Sequence, residues 1–173
     1  SERVRALGRQ AQQDLREQFD RIDAIAEENS IRVLEAFQDH RVAEGYFAGT
    51  TGYGYDDLGR DKLDEIYAQL FGTEAALVRI QFVNGTHAIA CALYGALKTG
   101  DVLVSAVGAP YDTLLGVIGA AGNGHGSLKD YGVEYRQVEL KDNKPDLEGM
   151  AQAAADPRVK AVLIQRSKGY STR

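Results

Sequence analysis

From residue 76 onward the sequence switches repeatedly between two apolar rhythms, and few architectures accommodate that. Ala76, Val78, Ile80 and Phe82 fall on every second residue, as a strand with one buried face requires. Thr86 to Leu97 then reads as a helix of small apolar residues, and VLVSAV at 102–107 as a second strand. A helix opened by Pro110 runs through Ile118, and Val133 to Val138 makes a third strand. Leu147, Met150, Ala151 and Ala154 mark a further helix, and VKAVLIQ at 159–165 a fourth strand. Strands alternating with helices of this length imply right-handed crossovers and a mainly parallel sheet covered on both faces. The expected class is therefore α/β, a three-layer α/β/α arrangement.

The region before this alternation is different. Val4, Leu7, Ala11, Leu15, Phe19, Ile22 and Ile25 recur at intervals of three or four, a single apolar stripe on a helix otherwise made of Arg, Gln, Asp and Glu. Asn29 and Ser30 are placed to cap a second helix carrying Val33, Leu34 and Phe37. Such an arm packs either on a partner subunit or back on its own domain, and spacing does not choose between them. The segment GYFAGTTGYGYDD at 45–57 breaks every period, and its glycines and tyrosines suit a surface that backbone approaches closely. Asp56 or Asp57 is then positioned to cap a helix bearing Leu63, Ile66, Tyr67, Leu70 and Phe71, which Gly72 ends. The expected division is a helical arm over 1–44 and an α/β domain over 45–173.

Charge and composition exclude several functions. A net charge of −5 argues against a general nucleic-acid binder, which carries a basic face. No apolar run approaches the ~18 residues of a membrane span, and the polar amino end is no secretory signal. The single cysteine, Cys91, excludes an internal disulfide framework and is expected to be buried on the helix after Thr86. A cytoplasmic protein is the expectation. The chain stops soon after its fourth expected strand, so an isolated chain should expose an edge and associate.

Two segments can carry chemistry. VNGTHAIACAL at 83–93 sets Asn-Gly-Thr between a strand end and a helix start, where free N–H groups and the helix dipole suit a phosphate. GAPYDTLLGVIG at 108–119 follows the next strand, so Tyr111 and Asp112 neighbour Gly85, Thr86 and His87 beyond the carboxyl ends of a parallel sheet. A tyrosine there can stack on a planar cofactor or simply pack its helix down. GNGHG at 122–126 follows a helix rather than a strand and lacks dinucleotide-loop spacing, so it reads as a connector. His40, His87 and His125 share no metal-ligand spacing.

The run GYGYDDLGRDKLDEIYAQLFGTEAALVRIQFVNGTHAIACALYGALKTGD, followed by GAPYDTLLGVIG and ending in VLIQRSKGYSTR, resembles the pyridoxal-phosphate-dependent carbon–sulfur lyases associated with aluminium resistance. These are relatives of methionine γ-lyase and cystathionine β-lyase within the aspartate-aminotransferase fold (fold type I). The likeness extends from about Val33 to Arg173. It implies that residues 45–173 are part of that fold's large domain and that pyridoxal 5′-phosphate is the cofactor. Gly85, Thr86 and His87 match the turn that cradles the cofactor phosphate in similar enzymes, and Tyr111 matches the aromatic lying against the pyridine ring. Tyr53, Tyr55 and Arg60 fall in the segment that, in related lyases, reaches a neighbouring subunit's phosphate. Those relatives use a Tyr-x-Arg pair, whereas Gly54 and Asp56 intervene here. Arg166 and Ser167 sit where similar folds offer groups to cofactor or substrate. The Schiff-base lysine and the aspartate that pairs with the pyridine nitrogen lie further along in the family, beyond Arg173, and the resemblance gives Lys168 no catalytic role.

The implied activity of the complete protein is elimination of a thiol from a sulfur amino acid of the cystathionine or methionine type, by a homodimer or homotetramer. The alternative from another class is a non-catalytic fragment that binds phosphate or pyridoxal phosphate, or serves oligomerisation. A third is some other phosphate-binding α/β enzyme.

Overall fold

A computed structural model describes residues 1–51, 55, 57–122 and 124–166. The chain divides into two units, Ser1–Ile80 and Gln81–Arg173.

In the first unit, α1 (Glu2–Asp14) hands over at Leu15 to α2 (Arg16–Asp39). The expected break at Asn29 and Ser30 does not occur. Both lie inside α2, where Asn29 donates to the Ile25 carbonyl at 2.8 Å and Ser30 to the Ala26 carbonyl at 2.7 Å. Side chains satisfied one turn back on their own helix cap nothing. A 3₁₀ turn spans Glu44–Phe47. Asp57 caps α3 (Leu58–Phe71), accepting the Arg60 N–H at 3.0 Å. Gly72 closes the helix at φ 62° and ψ 39°, a left-handed conformation that costs glycine nothing sterically. Ala36 of α2 and Ile66 of α3 are the buried contacts where these helices meet.

The strand expected over 76–82 is absent. Val78 N–H goes to Asp64 Oδ1 at 2.7 Å, and Arg79 clamps both oxygens of the same carboxylate at 2.7 and 2.8 Å. Alternating apolar residues mark an extended chain, but a strand also needs a neighbouring backbone to pair with. Here a side chain has taken the N–H, and Leu77 and Ile80 point outward at 62% and 91% exposure.

The second unit carries the sheet, with three strands among the described residues rather than four. In chain order it contains α4 (Gly85–Ala96), β1 (Val102–Ser105), α5 (Asp112–Ile118), β2 (Glu134–Gln137), α6 (Leu147–Ala154) and β3 (Val159–Leu163). The strands run parallel in the order β2-β1-β3. Leu103 lies opposite Tyr135 on one side and Ala161 on the other, and a register shift between Val102 and Leu103 irregularises the β3 ladder. All of β1 is buried, as a central strand covered on both faces must be. Leu103 packs with Leu93 and Leu97 of α4, Leu114 and Ile118 of α5, and Leu128 and Val133. Hydrophobic burial of this cluster holds the two helices on one face of the sheet.

Cys91 corrects a further expectation, because it is exposed. Leu93 and Leu97 take the buried side of α4, and Cys91 falls with Ala88, Ala92 and Gly95 on its exposed face. A helix of apolar residues nearly all round gives no pattern from which to tell the two sides apart. No helix among the described residues is long and apolar enough to cross a membrane.

Candidate cofactor-phosphate site

The site is built at the junction of α4 and α5. Asn84, with extended backbone, caps α4 by accepting the His87 N–H on its side chain at 2.8 Å. Its main-chain carbonyl accepts the Ala88 N–H at 3.1 Å. The N–H groups of Gly85 and Thr86 are thereby left as the first-turn donors that the cap does not use. No acidic side chain sits in this turn to offset the positive end of the helix dipole. A Cβ placed on Gly85 would meet nothing within 4 Å, so the space beside the turn is open.

Thr86 converts this helix start into a cluster. Its Oγ1 lies 2.7 Å from the Tyr111 hydroxyl and 3.0 Å from Thr113 Oγ1. Tyr111 is the N-cap residue of α5, and its ring packs half-buried against the hydrophobic cluster under both helices. Its N–H donates to Gln165 Oε1 at 3.0 Å, which ties the start of α5 to the chain leaving β3. His87 is exposed, stands edge-on to Phe82 with ring centroids 5.9 Å apart, and accepts the Val83 N–H on Nδ1 at 3.4 Å.

The structure therefore brings Gly85, Thr86, His87 and Tyr111 together. Asn84, Thr113 and Gln165 complete the cluster and were not anticipated. The capping role of Asn84 was legible, since Asn before a helix is a strong cap signal. Nothing local marks Thr113 or Gln165, because their roles depend on tertiary packing.

Arg166 is exposed and lines a cleft of about 320 Å³ with Val107, Leu140, Asn143, Pro145, Ile164 and Gln165. Gln165 thus belongs to both this cleft and the Tyr111 cluster. Ser167 and Lys168 lie outside the described residues, as does Tyr53. Tyr55 is 84% exposed and belongs to the first unit. Arg60 is also in that unit, bonded to Asp61 at 3.3 Å, and helps line an apolar cleft of about 330 Å³ with Phe37, Tyr46, Phe47 and Ile66. Beside it, the Arg60 N–H and then the Thr50 hydroxyl hold the Asp57 carboxyl below the usual carboxylate range. Among the described residues no group of three or more His, Cys, Asp or Glu is placed to hold a metal ion.

The methionine gamma-lyase family profile matches residues 4–173. The uncharacterized protein YnbB of Bacillus subtilis is 50% identical over 154 residues, which is 88% of this chain and 36% of that protein. Among solved structures, a candidate cystathionine beta-lyase involved in aluminium resistance from Clostridium acetobutylicum superposes with a TM-score of 0.93 at 46% identity, covering 100% of this chain and 41% of the other. A carbon–sulfur lyase involved in aluminium resistance from Clostridium novyi does so with a TM-score of 0.91 at 48% identity, over 97% of this chain and 41% of that one. The chain thus spans well under half the length of these relatives.

Proposed function

The chain belongs to the methionine gamma-lyase family, and we propose that it supplies the phosphate-holding side of a pyridoxal-phosphate-dependent carbon–sulfur lyase. The observation that carries this reading is the helix start at which Thr86 and Tyr111 share a hydroxyl–hydroxyl contact of 2.7 Å beside open space at Gly85. Two uncommitted N–H groups, a hydroxyl and an uncompensated helix dipole form a donor set that fits a phosphate dianion. A flat phenol ring fixed next to them fits the ring to which that phosphate is attached.

When bound, pyridoxal phosphate supplies a conjugated ring that accepts negative charge from the substrate's α-carbon. In this reading Gly85 and Thr86 bind the phosphate through their N–H groups, and the Thr86 hydroxyl, oriented by Tyr111 and Thr113, adds a third donor. Tyr111 is held at two points, its hydroxyl on Thr86 and its N–H on Gln165, so its ring is pre-positioned as a wall. His87 flanks the cradle. Arg166 presents a guanidinium for the carboxylate of an amino-acid substrate, with Ser167 next to it. Tyr53, Tyr55 and Arg60 are assigned to the phosphate of a neighbouring subunit. The lysine that bonds the cofactor and moves the α-proton, and the aspartate facing the pyridine nitrogen, belong to the remainder of the protein. The substrate is a sulfur amino acid of the cystathionine or methionine type, and residues 45–173 are part of the large domain of a fold-type-I enzyme working in the cytoplasm.

Absorbance titration of pyridoxal phosphate into the complete protein, followed by borohydride reduction and peptide mapping, tests this. The expected result is a yellow protein with cofactor trapped on a lysine beyond Arg173. Trapping on Lys168, or no saturable binding by the complete protein, overturns it.

A further inference from the structure

The Thr86 hydroxyl carries a single proton, yet it has two hydroxyl neighbours, Tyr111 at 2.7 Å and Thr113 Oγ1 at 3.0 Å. Among the three hydroxyls alone, either partner can donate in each contact. A phosphate removes that freedom, because a dianion only accepts. Once the Thr86 proton is given to phosphate, both neighbours must donate to Thr86, which fills the lone pairs on Oγ1. A hydroxyl polarised by incoming hydrogen bonds donates more strongly in turn.

Thr113 is placed for this and for little else. It is the second residue of α5 and is exposed. Its N–H is taken by Asp112 Oδ1 at 2.8 Å. Among the described residues its hydroxyl meets Thr86 and no other partner. Threonine is a mediocre helix former, and an exposed helical position gains no packing from it. Tyr111 has other reasons for its place, since its ring joins the hydrophobic cluster and its N–H is bound by Gln165. Only the contact with Thr86 accounts for a hydroxyl at position 113.

We propose that Thr113 is a positioning residue whose hydroxyl donates to Thr86, aims the Thr86 proton at the cofactor phosphate, and so sets the site's preference for the phosphorylated cofactor. The proposal rests on the phosphate reading above and adds to it the direction of the hydrogen bonds. The apo form of the complete protein is titrated with pyridoxal phosphate and with pyridoxal, which shares the ring and aldehyde but lacks the phosphate. The readout is the selectivity, the factor by which the phosphorylated form binds more tightly. A general loosening of the site weakens both ligands together and leaves the selectivity where it was. Thr86→Val should lower it roughly tenfold, as loss of a hydrogen bond to a charged group does. Thr113→Val, and Thr113→Ala as a smaller truncation, should lower it about threefold, and Thr113→Ser should restore it. Adding Thr113→Val to Thr86→Val should change nothing further. If Thr86→Val lowers the selectivity and neither truncation of Thr113 does, the proposal is overturned and the phosphate reading stands. A further loss in the double variant means that Thr113 touches the phosphate itself, which overturns the proposal too. Selectivity unmoved by Thr86→Val overturns the phosphate reading and the proposal with it.

Discussion

The Tyr111 hydroxyl sits 2.7 Å from Oγ1 of Thr86, joining the cap of α5 to the first turn of α4 across 25 residues of sequence. A single contact thus couples the orientation of an aromatic ring to that of a helix-start hydroxyl. Tyr111→Phe keeps the ring and removes the bond, so it should cost ~1 kcal/mol of stability in urea unfolding, the worth of one such hydrogen bond. It should also weaken cofactor binding by the complete protein. Tyr111→Ala loses the half-buried ring as well and should cost roughly 2 kcal/mol, less than the ~3–5 of a fully buried aromatic.

Asn84 holds α4 at its start through side chain and carbonyl. Asn84→Ala should destabilise by ~1 kcal/mol, the usual cost of losing a cap, whereas Asn84→Asp should preserve the cap. Because the introduced carboxylate would stand beside the phosphate donors, Asn84→Asp should nevertheless reduce pyridoxal phosphate affinity. Parallel denaturation and titration separate the two effects.

Acid should loosen the first unit through Asp64. Burial pushes this carboxyl up, but the Val78 N–H and the Arg79 guanidinium outweigh it and hold it below its ordinary value of 3.8. A group whose folded pKa is depressed stabilises fully above the unfolded value, and that contribution fades as pH falls through the folded pKa. Unfolding free energy measured from pH 6 to pH 2 should therefore fall below about pH 4, and Asp64→Asn should flatten that part of the curve. Asp156, held well below the usual carboxylate range by Arg158 and Arg136, acts in the same direction in the second unit. A profile in Asp64→Asn that is unchanged from the parent would show that this pair does not contribute.

Gly119 ends α5 at φ 86° and ψ 20°. A methyl group there would collide with Ser127 Oγ and approach Ser127 Cβ and Lys129 Cβ to 2.9 Å. Gly119→Ala should cost more than ~1 kcal/mol, adding steric overlap to the left-handed penalty. It should also loosen the C-terminal end of α5, the end opposite the Tyr111 cap. Gly122→Ala, at φ 84° with nothing within 4 Å, isolates the backbone penalty and should cost less.

The elements that were legible in the sequence are those whose signal is local. The helix over Leu147–Ala154 matches its apolar spacing residue for residue, and Gly72 and Asp57 bound α3 as glycine and aspartate do at helix ends. The segment 76–82 misled because alternation reports a buried side, not a partner, and the partner proved to be the Asp64 carboxylate 14 residues back from Val78. Asn29 and Ser30 misled because cap-forming side chains also bond their own helix. Cys91 misled because α4 is apolar on nearly every side.

The sequence by itself determined the α/β class, the helix start at Asn84–His87 and the one-sided arm, since periodicity and capping act over a few residues. Only the tertiary structure decided that the sheet has the order β2-β1-β3, and that Thr86, Tyr111, Thr113 and Gln165 converge. Those outcomes depend on which distant groups packing brings within hydrogen-bonding range. A one-dimensional pattern does not encode that distance.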